Sequence, residues 1–356
     1  MAEGFLLSRV LLRFAPEFTD IIGDLSAAAL TPDGSLWVAS DETTSIERLS
    51  QIEPCIFGEH KRFAIGDFIE LFNEKDEIDI EGMDYTNHYL WFIGSHSTKR
   101  KKTKGNEPEQ DIQRLAEVKT ELNRYLLGRI PVFDKQLFKS CSHPENPEQK
   151  LTAGCLQKTD SLLTILENDS HLGSFIAAGI PSKENGFDIE GLAVRGDKVF
   201  IGLRGPVLRG WAIILEIEIE EPNPGILALK AIGSEGERYK KHFVQMNGLG
   251  VRELCIDGED LIILAGPTME LEGNLRVFRL KNALELSGNT LFSQDSGHLE
   301  VLFDLPFILG ADHAEGLALF PCLGQPNSLL VVYDSPDAPR KVEKDAVFAD
   351  VFKLKR

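Results

Sequence analysis

FDIEGLAVRGDKVFIGLRGPVLRGWAIILEIEI, residues Phe187 to Ile219, is the stretch whose reading decides the fold. It reads as three short strands. Asp188 and Glu190 stand two apart and so share one face of the first strand, while Ile189 points the other way. Gly196-Asp197 is a turn between two apolar runs, which makes a hairpin with Lys198 to Leu203 as its return strand. Pro206, with Gly205 and Gly210 around it, interrupts the segment that follows Arg204. Trp211 to Ile219 is a third strand, and the unit is an antiparallel meander.

The same grammar recurs along the chain. Asp24-Leu25-Ser26, Asp79-Ile80-Glu81-Gly82, Val251-Arg252-Glu253-Leu254 and His313-Ala314-Glu315-Gly316 each open a strand, a turn and a return strand. Aligned on Ser26, Glu81, Glu190, Glu253 and Glu315, the spacings are 55, 109, 63 and 62 residues. Repeats of this length built from short antiparallel strands predict an all-β chain, a β-propeller with five recognisable blades. A sixth, degenerate blade in the wide interval is the alternative. That interval also predicts helical insertions near 107–122 and 159–175, from Ile112, Leu115, Val118 and Leu122 and from Leu162, Leu163, Leu166 and Leu172 at helical spacing. Thr159 or Asp160 would cap the second. A blade cannot bury both faces alone, so the ring must close. Strands at Gly4 to Phe14 and Ala346 to Leu354 are expected to pair and clasp it, giving one domain over 1–356 with insertions at 99–122 and 155–180.

In such a ring the starts of the first strands and the ends of the second strands meet on one face. Four glutamates (Glu81, Glu190, Glu253 and Glu315) are expected to converge there, beside Asp79 and Asp188. Carboxylates held together without counter-charge are unstable. Three remedies stay open: a calcium or magnesium ion held by the four glutamates, pairing with Arg204, Arg209, Arg252 and His313, or protonation that leaves a carboxyl ready for acid/base work. In a catalytic reading His96 or His313 moves a proton and Arg204 orients the substrate, with Asp79, Asp188 and Arg209 in contact with it. Lys119, Arg124 and the neighbouring helix would form a lid.

A net charge of −18 argues against nucleic acid or an anionic membrane as partner and leaves a small molecule or a protein as ligand. Cys55, Cys141, Cys155, Cys255 and Cys322 are too scattered for a disulfide framework or a zinc site, and they read as packing thiols of a cytoplasmic protein. The start lacks the pattern of a signal peptide, and no apolar run is long enough to span a bilayer.

The paired Asp-Ile-Glu-Gly motifs, Gly94-Ser95-His96-Ser97, Asn123-Arg124-Tyr125-Leu126-Leu127 and the run Ile201 to Ala212 (IGLRGPVLRGWA) resemble a bacterial domain family of unknown function. That resemblance covers most of the chain and implies a propeller-like fold with no established activity. More distantly, a Glu-Gly pair opening each inner strand is similar to regucalcin-type lactonases and esterase-like phytases. This likeness implies an axial divalent cation and hydrolysis of an ester, lactone or phosphoester. The other reading is a non-catalytic platform for protein or glycan recognition.

Overall fold

A computed structural model of the chain describes residues 4–73, 76–105, 107–156, 161–233 and 236–354. The described residues form five antiparallel units. The first runs Leu25–Leu30, Ser35–Ser40, Ser45–Glu53, Ile56–Ala64. The second is Ile80–Thr86, Tyr89–Gly94 and Leu127–Phe133, edged by Gly154–Leu156. The stretch that opened the sequence reading supplies the third, Asp188–Arg195, Lys198–Gly205 and Trp211–Asn223, with Lys240–Gln245 outside it. The fourth is Gly250–Asp257, Asp260–Gly266, Arg276–Leu280, Leu299–Asp304. The fifth takes His313–Leu319, Ser328–Asp334 and Ala346–Lys353 from the end of the chain and Leu6–Arg13 from its start. The last pairing is the expected clasp. Antiparallel hydrogen bonds from Leu6↔Phe352 to Arg13↔Ala346 tie the two ends of the chain into one sheet.

Each first strand packs against the first strands of the two neighbouring units, and the fifth meets the first, so the order is cyclic. The cores lie between sheets. Trp37 and Leu90 belong to one core between the first and second units, and Trp91 and Leu192 to one between the second and third. Phe200 and Leu254 follow between the third and fourth, Leu264 and Val331 between the fourth and fifth, and Leu49 and Leu330 between the fifth and first. Fully burying such a side chain stabilises by about 1.5–3 kcal/mol, and each does so only with a neighbouring sheet. This is a β-propeller, and the ring is the reason a single unit is no folding unit.

The helical insertions are shorter than the periodicity predicts. Helix α1 spans Pro108–Ala116 and then gives way to a strand pairing of Val118–Lys119 with Lys99–Arg100. Its apolar residues Ile112 and Leu115, and Val118 and Leu122 beyond it, are exposed, because no core sheet lies against them. Helices α2 (Leu162–Leu166) and α3 (Gly173–Ala178) replace the second, with Ser161 capping α2. The caps expected at Thr159 and Asp160 lie outside the described residues. Among the described residues no helix is long and apolar enough to cross a membrane.

Candidate functional site at the mouth of the ring

All five first strands share one irregularity close to their starts. Pairing with the second strand runs Leu25↔Ser40 then Ala27↔Ala39, Ile80↔Gly94 then Gly82↔Ile93, Ile189↔Leu203 then Gly191↔Gly202, and Val251↔Ala265 then Glu253↔Leu264. In the fifth strand the slip falls between Ala314 and Leu317. The first strand carries one residue more than its partner each time, Glu315 and Gly316 standing opposite Val332 in the fifth, a β-bulge that re-aims a side chain. The bulged residues are Ser26, Glu81, Glu190 and Arg252, with Glu315 in the equivalent place. Gly82 and Gly316 follow because the neighbouring first strand is so close. A Cβ on Gly82 would stand 2.7 Å from Leu192 Cβ, and one on Gly316 2.9 Å from the carbonyl carbon of Ala27.

The ring therefore differs from the sequence column at one place. Arg252, not Glu253, holds the fourth position. Glu253 lies one residue deeper and does not line the mouth. Its Oε1 accepts hydrogen bonds from Leu192 N at 2.9 Å and Leu254 N at 2.8 Å. Burial raises its pKa well above the usual carboxyl range, and the two N–H contacts tie it into the ring wall.

The remaining acids meet their counter-charges in an arc. Arg124 reaches Glu77 Oε1 at 3.0 Å, pairs with Asp79, and donates to Ser95 and Ser97 hydroxyls. Arg204 is 2.6 Å from both Asp188 Oδ2 and Glu190 Oε1. Arg252 is 2.9 Å from Glu190 Oε2 and pairs with Glu315. Glu190 thus lies between two guanidinium groups, and the alternation runs across the third, fourth and fifth units. Planar guanidinium forks suit such bridging.

Among the described residues two carboxyls form no direct ion pair. Glu81 lies near enough for Arg124, Arg204 and Arg252 to feel its charge, and Asp41 Oδ1 is buried without a hydrogen bond. Burial pushes the Glu81 carboxyl well above its ordinary range, and repulsion from Asp79, Glu190 and Glu315 adds to it. Asp41 rises to about 9 by burial, helped by Glu315 and Asp79. Glu315 rises to about 8 by burial, which Arg252 only partly offsets. Asp188 rises to about 6, again by burial, with Arg204 holding it back. At neutral pH the mouth therefore holds protonated and ionised carboxyls side by side.

Asp41, Asp79, Glu81, Asp188, Glu190, Arg204 and Glu315 line one cavity of about 550 Å³. Lysines from the 99–119 insertion and Arg114 and Leu115 of α1 form its rim. The other expected participants stand elsewhere. His96 is buried, its Nδ1 2.8 Å from Gly94 O and its ring edge-on to Tyr125, and burial lowers its pKa to about 4. It does not line the cavity. His313 stands beside the mouth, 3.5 Å from Asp334 and 3.3 Å from Glu272, and the Asp334 contact raises its pKa. Arg209 is exposed on the loop after Gly205 and also lies off the cavity. Glu77 was missed by the sequence reading; nothing but its nearness to Asp79 marks it.

The expected calcium or magnesium set is not assembled. Among the described residues no three His, Cys, Asp or Glu groups gather closely enough to hold a metal ion. Glu190 and Glu315 turn their oxygens to guanidinium groups, and Glu253 turns away. Of the three remedies for crowded carboxylates, ion pairing is the one this geometry displays, and burial favours the protonated form of Asp41, Glu81 and Glu315.

A propeller with an acidic, arginine-braced mouth is the class that fold and site define. The chain belongs to the family described as "Protein of unknown function (DUF3616)", matched over residues 24–350. No curated protein matches it by sequence. Among solved structures it is similar to the calcium-binding protein regucalcin from Agrobacterium tumefaciens, at 9% identity and a TM-score of 0.42, covering 100% of this chain and 98% of that one. A PQQ-bound aldose sugar dehydrogenase from Streptomyces coelicolor is similar at 12% identity and TM-score 0.39, over 97% and 98% of the two chains. Virginiamycin B lyase from Staphylococcus aureus is similar at 10% identity and TM-score 0.38, over 98% and 99%.

Proposed function

We propose that the mouth is the active site of a hydrolase acting on a small ester, lactone or phosphoester, with Glu81 as general acid and Asp188 as general base. The observation that carries this is the contrast between the two carboxyls. Glu81 forms no direct ion pair, and burial with repulsion from Asp79, Glu190 and Glu315 pushes its carboxyl well above its ordinary range, which suits it to carry the proton in this reading. Asp188 is braced by Arg204 at 2.6 Å and titrates at about 6, so it is ionised there. The residue lines the same cavity. Two carboxyls driven apart by their surroundings are a recurring acid/base arrangement.

In this reading a water gives its proton to Asp188 as its oxygen attacks the carbonyl carbon or phosphorus. Glu81 gives its proton to the leaving oxygen. Arg204 and Arg252 do not clamp an anionic substrate, since both are spent on carboxylates; they hold Asp188, Glu190 and Glu315 in place. A panel of p-nitrophenyl esters, lactones and phosphoesters tests the proposal. Turnover that falls at least about 100-fold in Glu81→Gln and in Asp188→Asn supports it. Turnover untouched by both overturns it. The platform reading is favoured by one feature, the exposed apolar side chains Ile112, Leu115, Leu271 and Leu309 on segments around the mouth. It would stand if the whole panel were inert.

A further inference from the structure

We propose a second ligand site, for a neutral saccharide, in the cleft between the second and third units on the face opposite the mouth. The cleft is about 550 Å³, within the usual range for small-molecule sites. Its walls come from the turn Thr86-Asn87-His88, which joins the first two strands of the second unit, and from Gly196-Asp197, the matching turn of the third. Those turns sit at the far ends of the strands that begin or end at the mouth, so this cleft shares no residue with the acid/base site.

Two fixed donors point to a ligand. Trp91 is 1% exposed, lines the cleft, and its Nε1–H has no acceptor. Arg129 faces Trp91 across the ladder, and its guanidinium carbon lies 4.1 Å from the Tyr89 ring centroid and 5.3 Å from that of Trp91. Its Nη2 is tied to Glu221 of the third unit, while its Nε–H is also without an acceptor. Buried N–H groups are rarely left so, and each orphan calls for an explanation. Stacking and the Glu221 pair hold Arg129 rigid, so the two donors are preorganised.

The chemistry of the ligand follows from the lining. Arg129 and Lys150 face Glu145, Asp197 and Glu221, so acids outnumber bases and an anion would meet repulsion. An apolar molecule would leave the two N–H groups unmatched. A polyhydroxylated neutral molecule supplies acceptors for Trp91 and Arg129 and hydroxyl donors for Asp197 and Glu145. Its C–H faces suit the imidazoles of His88 and His143, which stand edge to face at 4.8 Å. Tyr89 adds a free hydroxyl proton, since its oxygen is already the acceptor of Thr152 N.

The test is calorimetric titration of the full chain with methyl glucoside, methyl galactoside, N-acetylglucosamine and maltotriose, with inorganic phosphate as the charged control. At least one saccharide should bind and phosphate should not. Trp91→Phe keeps the ring packing and removes the donor, and it should weaken that binding about tenfold. Arg129→Lys keeps the charge without the Nε–H and should do the same, which decides the matter if the tryptophan variant fails to fold. Binding of phosphate rather than any sugar, no saccharide binding at millimolar concentrations, or undiminished binding in a folded variant overturns the proposal.

Discussion

Replacing Arg204 by Met removes the guanidinium that faces Asp188 and Glu190 while keeping an unbranched stem in the channel wall. Both acids are all but excluded from solvent, at 1% and 3% exposure. Each loses a contact of 2.6 Å. Glu190 retains Arg252 at 2.9 Å, whereas Asp188 keeps no direct ion pair. Breaking a buried pair from one side is destabilising by about 3–5 kcal/mol. With about 2.1 cal/mol/K of unfolding entropy per residue, that is roughly 4–7 °C in Tm for a chain of this length.

The loss must depend on pH. Asp188 titrates at about 6 in the folded wild type, above its unfolded value of 3.8. Between those values the folded state binds more protons than the unfolded one. The neutral form's advantage is complete at low pH and is lost as pH rises through 6. At pH 5 wild-type Asp188 already carries a proton, and its attraction to Arg204 is largely gone. The variant's deficit, full at pH 8, should fall to about half or less at pH 5. Urea unfolding at both pH values, followed by circular dichroism, reads this directly. An equal deficit at pH 5 and pH 8, or none at pH 8, would refute the assignment of Arg204 as the counter-ion of Asp188.

Other outcomes follow from the same geometry. Glu253→Gln should be close to wild type in stability and turnover, since a neutral acceptor remains. Glu253→Ala should lose about 1–3 kcal/mol for each of the two N–H groups it strands, measured by urea unfolding. Gly82→Ala should destabilise by about 1–3 kcal/mol, because its Cβ would stand 2.7 Å from Leu192 Cβ and 2.8 Å from Leu192 N. If the proposed hydrolysis holds, the pH–rate profile should rise through about pH 6 as Asp188 ionises and fall on the alkaline side as Glu81 loses its proton. Deleting residues 1–14 removes the strand Leu6–Arg13 from the fifth sheet, and cooperative thermal unfolding should disappear.

The repeated Asp-Ile-Glu-Gly openings place the first strands well, because a strand start needs only local pattern and a turn after it. The clasp was equally readable, since a ring of sheets must close and two apolar strands stand at the ends of the chain. The Arg252 shift was not, because a bulge is defined by the partner strand's ladder. One local signal was present. Glycine follows the acid at Gly82, Gly191 and Gly316, where the next strand comes close, yet Glu253 is followed by Leu254. A column aligned on that glycine requirement would have set Glu253 apart. Arg252 was among the pairing partners that the sequence offered, but Arg124 as counter-ion of Glu77 and Asp79 was not, because that pairing depends on side-chain packing, which no spacing encodes. The 107–122 periodicity was real, but period alone does not supply a surface to bury against, and α1 ends at Ala116 with Ile112 and Leu115 exposed.

Titration of the Glu81 carboxyl by carbon-13 NMR, assigned with Glu81→Gln, bears most directly on the convergence of distant acids at one mouth. The expected pKa lies well above 4.5 and drops when the remote Glu315 is changed to Gln, since Glu315 is among the charges that raise it. A Glu81 carboxyl that titrates near 4.5, or one that is indifferent to Glu315→Gln, would contradict the arrangement.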